Sequence, residues 1–422
     1  MKKAKNFYLF AGIICYKFFC DYVYDNVISE LFSYQNFENN PNNKSIFISW
    51  LMVLLLSPLI IKINFQEKLS SSIVKVLVLC SFIPTCTMIG FHSSYEMEYI
   101  ILIFIYWCVL LTSNIYMPKI IFGKSNYLQN TNFYEILVTV LCITIIFISF
   151  KYTGFRLQFD LINVYDVRAE ARTYSMPTFL GYLATFSDNI LPIALVYFLY
   201  RKKKIIALII GFVIFLNYGI TATKQIIFLL FLSILGYFFI RNLKFTNKFI
   251  WIFITLLFAG ILEFMIFETW FISLLSTYRV FFIPAKLHYV YYNYFSTHEF
   301  DYFRQSFFKY FTESPYKDNI GFLMGYEDIG DFTARANNGL FTDAYYNFGI
   351  IGVLIFPLIL VFILKILDGA VIGLNERFLF IIIISVSFIL IGLPFSTALF
   401  SAGLIPLIIF LNSLKRESTN YG

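Results

Sequence analysis

Long apolar stretches recur along the whole chain and are separated by mostly short polar connections. Twelve of them approach the roughly 20 apolar residues that a helix needs to cross a bilayer. They cover residues 7–29, 46–63, 73–91, 97–117, 133–151, 177–200, 205–222, 225–240, 249–270, 341–364, 378–394 and 396–414. The pattern predicts an all-α polytopic membrane protein of about twelve transmembrane helices, organised as a single transmembrane domain over residues 1–422.

Two polar segments interrupt this pattern, at residues 152–176 and 271–340. The stretch from Phe271 to Asp343 holds 21 Phe and Tyr residues. Its mixture of apolar and polar positions predicts helices of its own, including one from Tyr291 to Phe311 that lies on the membrane surface. Because binding and catalytic residues concentrate on loops held by a rigid scaffold, we expect the chemistry to be located here.

The Lys and Arg residues predict how the chain is oriented. With the N-terminus in the cytoplasm, the inner connections hold 18 Lys and Arg and the outer ones hold 12. Cytoplasmic loops are enriched in these residues, so this orientation is favoured, and it places both polar segments on the outer face. Most outer cations lie in those two segments, and binding of an anionic ligand is one explanation for them.

Composition supports the membrane class and excludes others. The chain is 59% hydrophobic and 14% charged, whereas soluble domains carry about 25% charged residues. The net charge of +7 comes from the membrane flanks, so we expect no nucleic-acid partner. The six cysteines have no metal-ligand spacing, which predicts neither a zinc site nor a disulfide framework. The N-terminus resembles a signal peptide without a cleavage site, and we interpret it as a retained span.

Lys224 lies in the short turn between the seventh and eighth predicted spans. At the outer mouth of two paired helices, a cation beside free backbone N–H groups suits a lipid-linked phosphate. The alternative is a lysine that extends to the lipid headgroups.

The segment Asp166-Val-Arg168-Ala-Glu170-Ala-Arg172 consists largely of good helix formers. Arg168 and Arg172 are four residues apart and share one helix face, whereas Asp166 and Glu170 share another. Two guanidinium groups one turn apart can bind a diphosphate with forked hydrogen bonds. The alternative is a solvated helix with weak internal ion pairs.

Tyr278 and Arg279 follow the ninth predicted span, and His288 comes shortly after them. An arginine this close to the outer bilayer surface is a candidate for function. His288 could act as a base or orient a hydroxyl group, although a single loop histidine is more often a polar surface residue.

Arg335, Asn338 and Asp343 lead from the second polar segment into the tenth predicted span. Asn, Asp and Tyr side chains at the outer end of a helix suit sugar hydroxyls. The alternative is a polar helix start in which Asp343 interacts favourably with the helix dipole.

These features together resemble a known family. The Lys in a short outer turn, the Tyr-Arg after the next span, the long outer loop and the pattern Asn-Gly-x-Phe-x-x-x-Tyr-x-x-Phe-Gly-x-x-Gly from Asn338 to Gly352 are similar to those of the Wzy-type O-antigen and capsule polymerases. These enzymes of the bacterial inner membrane join oligosaccharide repeat units during lipopolysaccharide and capsule synthesis.

The resemblance implies a membrane glycosyltransferase fold of the GT-C-like type with its active site facing the periplasm. The implied reaction transfers a glycan from undecaprenyl pyrophosphate to a hydroxyl of another lipid-linked repeat unit. Lys224 and Arg279, with Tyr278 adjacent, would hold the pyrophosphate, and the acceptor would be deprotonated by His288, Asp166, Glu170 or Asp343. Arg168, Arg172, Arg335 and Asn338 would position donor or acceptor. No metal or other cofactor is implied, and a flippase and a chain-length regulator are the expected protein partners.

Two other functions remain open on the sequence. An O-antigen ligase has a similar topology and a different acceptor. A repeat-unit flippase or other transporter predicts mid-span charges and internal repeats, and here the mid-span charges are few and no repeat is evident.

Overall fold

The computed structural model describes residues 2–121, 132–155, 167, 170–171, 173–221, 223–240 and 242–416. The secondary structure of these residues is helical, with no strand among them. We number the α-helices in chain order: α1 Lys2–Val23, α2 Ser29–Leu31, α3 Asn43–Asn64, α4 Leu69–Leu77, α5 Ile83–Phe91, α6 Met97–Tyr116, α7 Phe133–Ile148, α8 Thr178–Tyr200, α9 Lys204–Thr221, α10 Lys224–Phe239, α11 Phe249–Phe267, α12 Ile283–Phe295, α13 Ile320–Ile329, α14 Phe341–Ala370, α15 Leu379–Gly392 and α16 Leu404–Ser413.

Within the described residues, eight helices are long and apolar enough to cross a membrane, which indicates a membrane-embedded, multi-pass protein. They are Ala4–Leu31, Asn43–Asn64, Leu69–Phe91, Met97–Tyr116, Phe133–Thr153, Thr178–Tyr200, Leu243–Phe267 and Phe341–Ala370. The other four predicted spans coincide with the shorter helices α9, α10, α15 and α16. The helical class predicted from the sequence is therefore confirmed.

The chain forms two compact units. The first comprises Met1–Pro118, Lys244–Lys365 and Leu390–Phe395, and the second comprises Lys119–Leu243, Ile366–Ile389 and Ser396–Gly422. In the second unit, α7, α8, α9 and α10 pack together. Asn189 on α8 donates to the Ala402 carbonyl (2.7 Å) and accepts from Ser385 Oγ (2.9 Å), so one buried amide connects three segments of this unit.

The helix Leu69–Phe91 is the centre of the first unit, and its most apolar window is completely buried. Two serines on α3 donate hydrogen bonds to backbone carbonyl groups of this helix. Ser45 Oγ lies 2.7 Å from the Gly90 oxygen, and Ser49 Oγ lies 2.6 Å from the Cys86 oxygen. These bonds let α3 approach α5 closely, because small residues and hydroxyl groups pack transmembrane helices at short range.

Three lysines are buried in the apolar part of the first unit, and each has a polar partner. Lys17 forms an ion pair with Asp21 on the same helix face. Lys75 donates to Asn247 Oδ1 at 2.9 Å, and Lys365 donates to Ser70 Oγ at 2.8 Å. Such partners are expected, because an unpaired charge in an apolar interior is strongly unfavourable.

The second polar segment of the sequence contains a π-helix (Ser273–Phe282), α12 and α13. The predicted surface helix from Tyr291 to Phe311 is wrong beyond Phe295, where α12 ends. The backbone takes left-handed conformations at Tyr302 (φ 51°) and Phe303 (φ 60°), which no α-helix accommodates. Asn347 stabilises this turn, because its Oδ1 accepts from the Phe303 amide at 2.8 Å.

Helix α14 is broken near its start. Phe348 (φ −141°, ψ 15°) and Gly349 (φ 54°, ψ −134°) leave the helical conformation and separate residues 341–347 from the long apolar part. The Gly349 conformation is one that side chains other than glycine rarely adopt. A Cβ atom here would also lie 2.6 Å from Cζ of Phe300, so both backbone and packing require glycine.

We predict that Gly349→Ala destabilises the protein by about 1–3 kcal/mol because of backbone strain alone, with the clash against Phe300 adding to it. The matched control is Gly181→Ala on α8, where nothing lies within 4 Å of the added Cβ and removing a helix-interior glycine is favourable. Thermal unfolding in detergent micelles measures both. A Gly349→Ala melting temperature equal to that of the wild type contradicts the requirement.

Candidate functional site

A polar cavity of about 200 Å³ lies at one end of the first unit, where several connections between helices meet. We call it the loop-end cavity. Its walls come from the segment before α3, the connection between α5 and α6, helix α12 and helix α13. The lining residues are Asn36, Glu38, His92, Ser94, Tyr95, Lys286, Tyr289, Val290, Asn293, Tyr294, Glu327 and Asp328.

A buried ion pair connects α12 with α13 at the cavity wall. Lys286 Nζ lies 2.7 Å from Asp328 Oδ1, and the two side chains are 5% and 11% exposed. The same ammonium group donates to the Gln35 carbonyl at 2.7 Å and lies 4.7 Å from the Phe37 ring centroid. Asn36 Nδ2 donates to the Asp328 carbonyl at 2.8 Å. One lysine thereby joins three distant chain segments.

Burial dominates the electrostatics of this pair. Desolvation lowers the pKa of Lys286, and the attraction of Asp328 offsets only part of that change. Desolvation likewise raises the pKa of Asp328 against the opposing effect of Lys286. Removing two charges from water therefore costs more than their attraction returns, so the pair specifies position more than it adds stability.

Tyr278 lies outside the cavity lining and packs against the segment that forms this wall. Its ring stacks on Phe32 with 3.7 Å between centroids, and its hydroxyl donates to Gln35 Oε1. Burial raises the pKa of Tyr278 to about 12, so the phenol is protonated and acts as a donor. Tyr278 is thus a packing residue next to the cavity, and the adjacent Arg279 is exposed.

His92 lines the cavity with one ring nitrogen constrained. Tyr24 Oη lies 2.7 Å from both the Glu38 carbonyl oxygen and His92 Nε2. A phenol has one proton, and the carbonyl can only accept it, so Nε2 must donate to the Tyr24 oxygen. The other nitrogen, Nδ1, is then an acceptor, and among the described residues it has no hydrogen-bond partner. Burial, with Lys286 nearby, lowers the pKa of His92 to about 4, which keeps the ring neutral.

Stacked aromatic rings form a second part of the wall. His92 stacks on Tyr95 with 4.7 Å between centroids, and Tyr95 stacks on Tyr289 at 3.9 Å. Tyr289 and Tyr294 are half-buried, so part of each ring borders the cavity. The arrangement offers apolar ring surface next to hydroxyl groups.

The cavity carries an excess of negative charge. Glu38 and Glu327 are both exposed at its rim, whereas the single cation, Lys286, is neutralised by Asp328. No group of three or more His, Cys, Asp or Glu residues in the described part of the chain is arranged to hold a metal ion.

Three of the cations predicted from the sequence are described, and they lie outside the loop-end cavity. Arg335 is exposed, with its guanidinium 5.5 Å from the Phe322 ring centroid, and Arg279 is exposed on the π-helix that precedes α12. Lys224 is exposed in the first turn of α10 and belongs to the second unit.

His288, Asn338 and Asp343 are buried in the first unit with intramolecular partners. His288 Nδ1 lies 3.1 Å from Thr85 Oγ1, and burial lowers the pKa of this histidine to about 3. Asn338 Nδ2 donates to the Pro284 carbonyl at 2.9 Å. Asp343 accepts from the Phe395 amide at 2.7 Å and from Asn347 at 3.0 Å. Asn338 and Asp343 thereby hold the start of α14 in place. His288 packs beside Phe341 with 5.8 Å between ring centroids, and its buried Nε2 has no hydrogen-bond partner among the described residues.

The first polar segment is only partly described. Asp166, Arg168 and Arg172 lie outside the described residues, so their predicted roles stay predictions. Glu170 is described and exposed, and it accepts from the Tyr174 hydroxyl at 2.8 Å.

None of the twelve lining residues was predicted as a site residue from the sequence. The four with the most direct chemistry are Glu38, His92, Tyr289 and Glu327. Each belongs to a different connection or helix, and no spacing along the chain relates them. The sequence offers only a weak signal for this site. His92 follows one predicted span and Glu38 precedes another, and both connections lie on the predicted outer face.

Compared with known protein families, curated proteins and solved structures, the chain matches none of them.

We predict that Lys286→Met and Asp328→Leu each lower the stability by about 3–5 kcal/mol, because each leaves an unpaired buried charge. The double variant recovers most of this loss, since it removes both desolvation costs. Thermal unfolding in detergent measures the cycle. Glu299→Gln, which breaks the exposed 2.8 Å pair with Arg304, is the control and changes stability by less than about 1 kcal/mol. Additive losses in the double variant contradict the coupling.

We also predict an acid-sensitive contribution from His92. Its pKa of about 4 in the folded protein is below the usual 6.5, so below pH 6.5 the unfolded chain binds the additional proton. Stability therefore falls as the pH drops from 6.5 towards 4, by about 2 kcal/mol at pH 5.

The measurement compares melting temperatures at pH 7 and pH 5 for the wild type and for His92→Gln. The other acid-sensitive groups are common to both proteins, so the difference between the two slopes reports His92. Parallel slopes would show that His92 is not held neutral by the fold.

Proposed function

We propose that the chain is a membrane glycosyltransferase that polymerises lipid-linked oligosaccharide repeat units, as its motif resemblance to the Wzy-type polymerases suggests. The observation that carries the proposal is the loop-end cavity, a polar, tyrosine-lined space at one end of a unit built largely from apolar helices. Tyr rings, Asn amides and carboxylates are the groups that recognise a hydroxyl-rich ligand with apolar ring faces. In the proposed orientation, this end faces the periplasm of a bacterial inner membrane.

The proposed step forms one bond and breaks another. The acceptor hydroxyl oxygen bonds to the anomeric carbon of the donor glycan, and the bond from that carbon to the pyrophosphate oxygen breaks. Undecaprenyl pyrophosphate leaves with the electron pair, and the hydroxyl proton passes to a base. The protein must therefore bind sugars, stabilise a diphosphate at headgroup level and accept a proton.

The distribution of charge supports separate places for these tasks. The acidic loop-end cavity suits the sugars and disfavours a diphosphate. Exposed Arg279 directly follows Tyr278 in the wall behind the cavity and is the first unit's candidate for the pyrophosphate. We propose Arg335 as a further contact, and Lys224 as a phosphate contact of the second unit.

The buried environments of His288 and Asp343 argue against either as the base, because their acceptor atoms have no access to an acceptor sugar in this structure. The groups that border the cavity, Glu38, Glu327 and His92 Nδ1, replace them as candidates.

Deletion of the gene, followed by analysis of the surface glycan, tests the function. A polymerase deletion leaves single repeat units attached to the core, a ligase deletion leaves none attached, and a flippase deletion retains the repeat unit inside the cell. We predict the first result. Complementation with Arg279→Ala then reproduces the deletion pattern, because loss of one charge-stabilising donor slows such reactions by about 100-fold to 1,000-fold.

Lys317→Ala is the matched control, since Lys317 is an exposed cation of the same polar segment, and it restores long chains. Immunoblotting of the membrane fraction checks that each variant is inserted. Wild-type chain lengths with Arg279→Ala would refute the assignment of the pyrophosphate contact, and a deletion that leaves chain length unchanged would refute the function.

A further inference from the structure

We infer that the loop-end cavity binds a sugar residue that bears no negative charge, by stacking against Tyr289 and by a hydroxyl hydrogen bond to His92 Nδ1. The inference rests on the proposed function in one respect: it takes the sugar to be part of the repeat unit. The recognition chemistry is taken from the cavity itself.

The dimensions of the cavity fit one sugar ring. Its volume of about 200 Å³ is more than ten times the roughly 10–15 Å³ that a cavity needs, on the same measure, to hold one water molecule. The site is therefore large enough for a monosaccharide unit, and the other residues of an oligosaccharide would extend out past the exposed rim residues Asn36, Ser94 and Asn293.

His92 defines what the ligand must donate. The ring is 4% exposed, and the Tyr24 hydroxyl fixes its tautomer through Nε2. Nδ1 is left as an acceptor in a residue that lines the cavity, and this nitrogen is not completely buried, so it can accept from a donor inside the cavity. A ligand O–H satisfies it. A carboxylate or phosphate oxygen cannot, because it has no proton to donate at neutral pH.

The aromatic wall defines the ligand's other face. Tyr289 stacks on Tyr95 at 3.9 Å, which holds its ring in a fixed orientation, and Tyr294 on the next turn of α12 stacks on His298 at 3.9 Å. Rigid tyrosines present apolar surface with a hydroxyl at the edge. A pyranose ring, with C–H groups on its faces and O–H groups around its rim, complements such a wall.

The charges exclude acidic sugars. Glu38 and Glu327 border the cavity, and the Lys286 ammonium is already bound to Asp328 and to the Gln35 carbonyl. A uronic acid or a phosphorylated sugar would add a like charge without gaining a free cation. In a partly enclosed site this repulsion is larger than in open water.

Saturation-transfer NMR on the full-length protein in detergent micelles tests the inference. The probes are methyl glycosides of glucose, galactose, mannose, rhamnose, N-acetylglucosamine and N-acetylgalactosamine, with methyl glucuronide and methyl galacturonide as charged probes. We expect at least one neutral glycoside to receive saturation and neither uronide to do so. Tyr289→Ala weakens the neutral signal by about threefold to tenfold, and His92→Ala also weakens it.

Lys309→Ala, an exposed residue away from the cavity lining, keeps the wild-type signal. In the double variant Glu38→Gln with Glu327→Gln, the preference for neutral probes over uronides falls severalfold, because the repulsive charges are gone. Melting temperatures confirm that each variant is folded. If an alanine variant unfolds, the glutamine variants, which retain size and polarity, still test whether the carboxylates exclude the uronides.

The inference is overturned if uronides bind as well as neutral glycosides, if no neutral glycoside binds, or if the neutral signal survives Tyr289→Ala. These outcomes are separate from the test of the proposed function. The deletion strain can show single repeat units while the cavity fails to bind neutral glycosides. In that case the proposed polymerase function stands and only this sugar site is refuted.

Discussion

The buried pair between Lys286 and Asp328 is the constraint on which the loop-end cavity depends. It joins α12 to α13, and through the Gln35 carbonyl and the Phe37 ring it also holds the segment before α3. Gln35 and Lys286 are separated by 251 residues in the sequence. A hydrophobic contact could bring them together, but a 2.7 Å ammonium–carboxylate contact also fixes their register. The desolvation cost of the pair is compatible with a positional role for it.

Around this pair the protein separates two kinds of chemistry. The cavity concentrates carboxylates, tyrosines and a neutral histidine, whereas Arg279 and Arg335 are exposed outside its lining. For a substrate with a neutral glycan at one end and a diphosphate at the other, such a separation favours a single direction of binding. Electrostatic complementarity of this kind contributes more to orientation and specificity than to raw affinity.

Much of the helical architecture could be predicted from the sequence, because bilayer thickness imposes a length that apolar runs display directly. Asn43–Asn64 and Thr178–Tyr200, for instance, coincide closely with the runs at 46–63 and 177–200. The π-helical turn at Ser273–Phe282 and the break at Gly349 could not be predicted in this way, since both depend on tertiary packing.

The candidate site was less predictable than the fold for a related reason. Residues such as His288 and Asp343 have the chemistry of catalytic groups, but their burial and partners come from helices far away in the sequence. His92 has the same chemistry and also one occupied nitrogen, but it borders a cavity, whereas the unpartnered Nε2 of His288 is completely buried. The two histidines differ in which distant helices surround them, and residue spacing along the sequence does not predict this.

The complete burial of Leu69–Phe91 has a consequence for biogenesis. This helix leaves the ribosome early, yet the partners of Ser70, Thr85 and Lys75 are Lys365, His288 and Asn247, all synthesised much later. Before these residues are synthesised, its serine hydroxyls can bond within the helix, as Ser72 does with the Lys68 carbonyl at 3.0 Å, or to the next helix, as Ser71 does with Asn114 Oδ1 at 3.1 Å. The polar contacts of this helix are therefore complete only after the C-terminal half of the first unit has been synthesised.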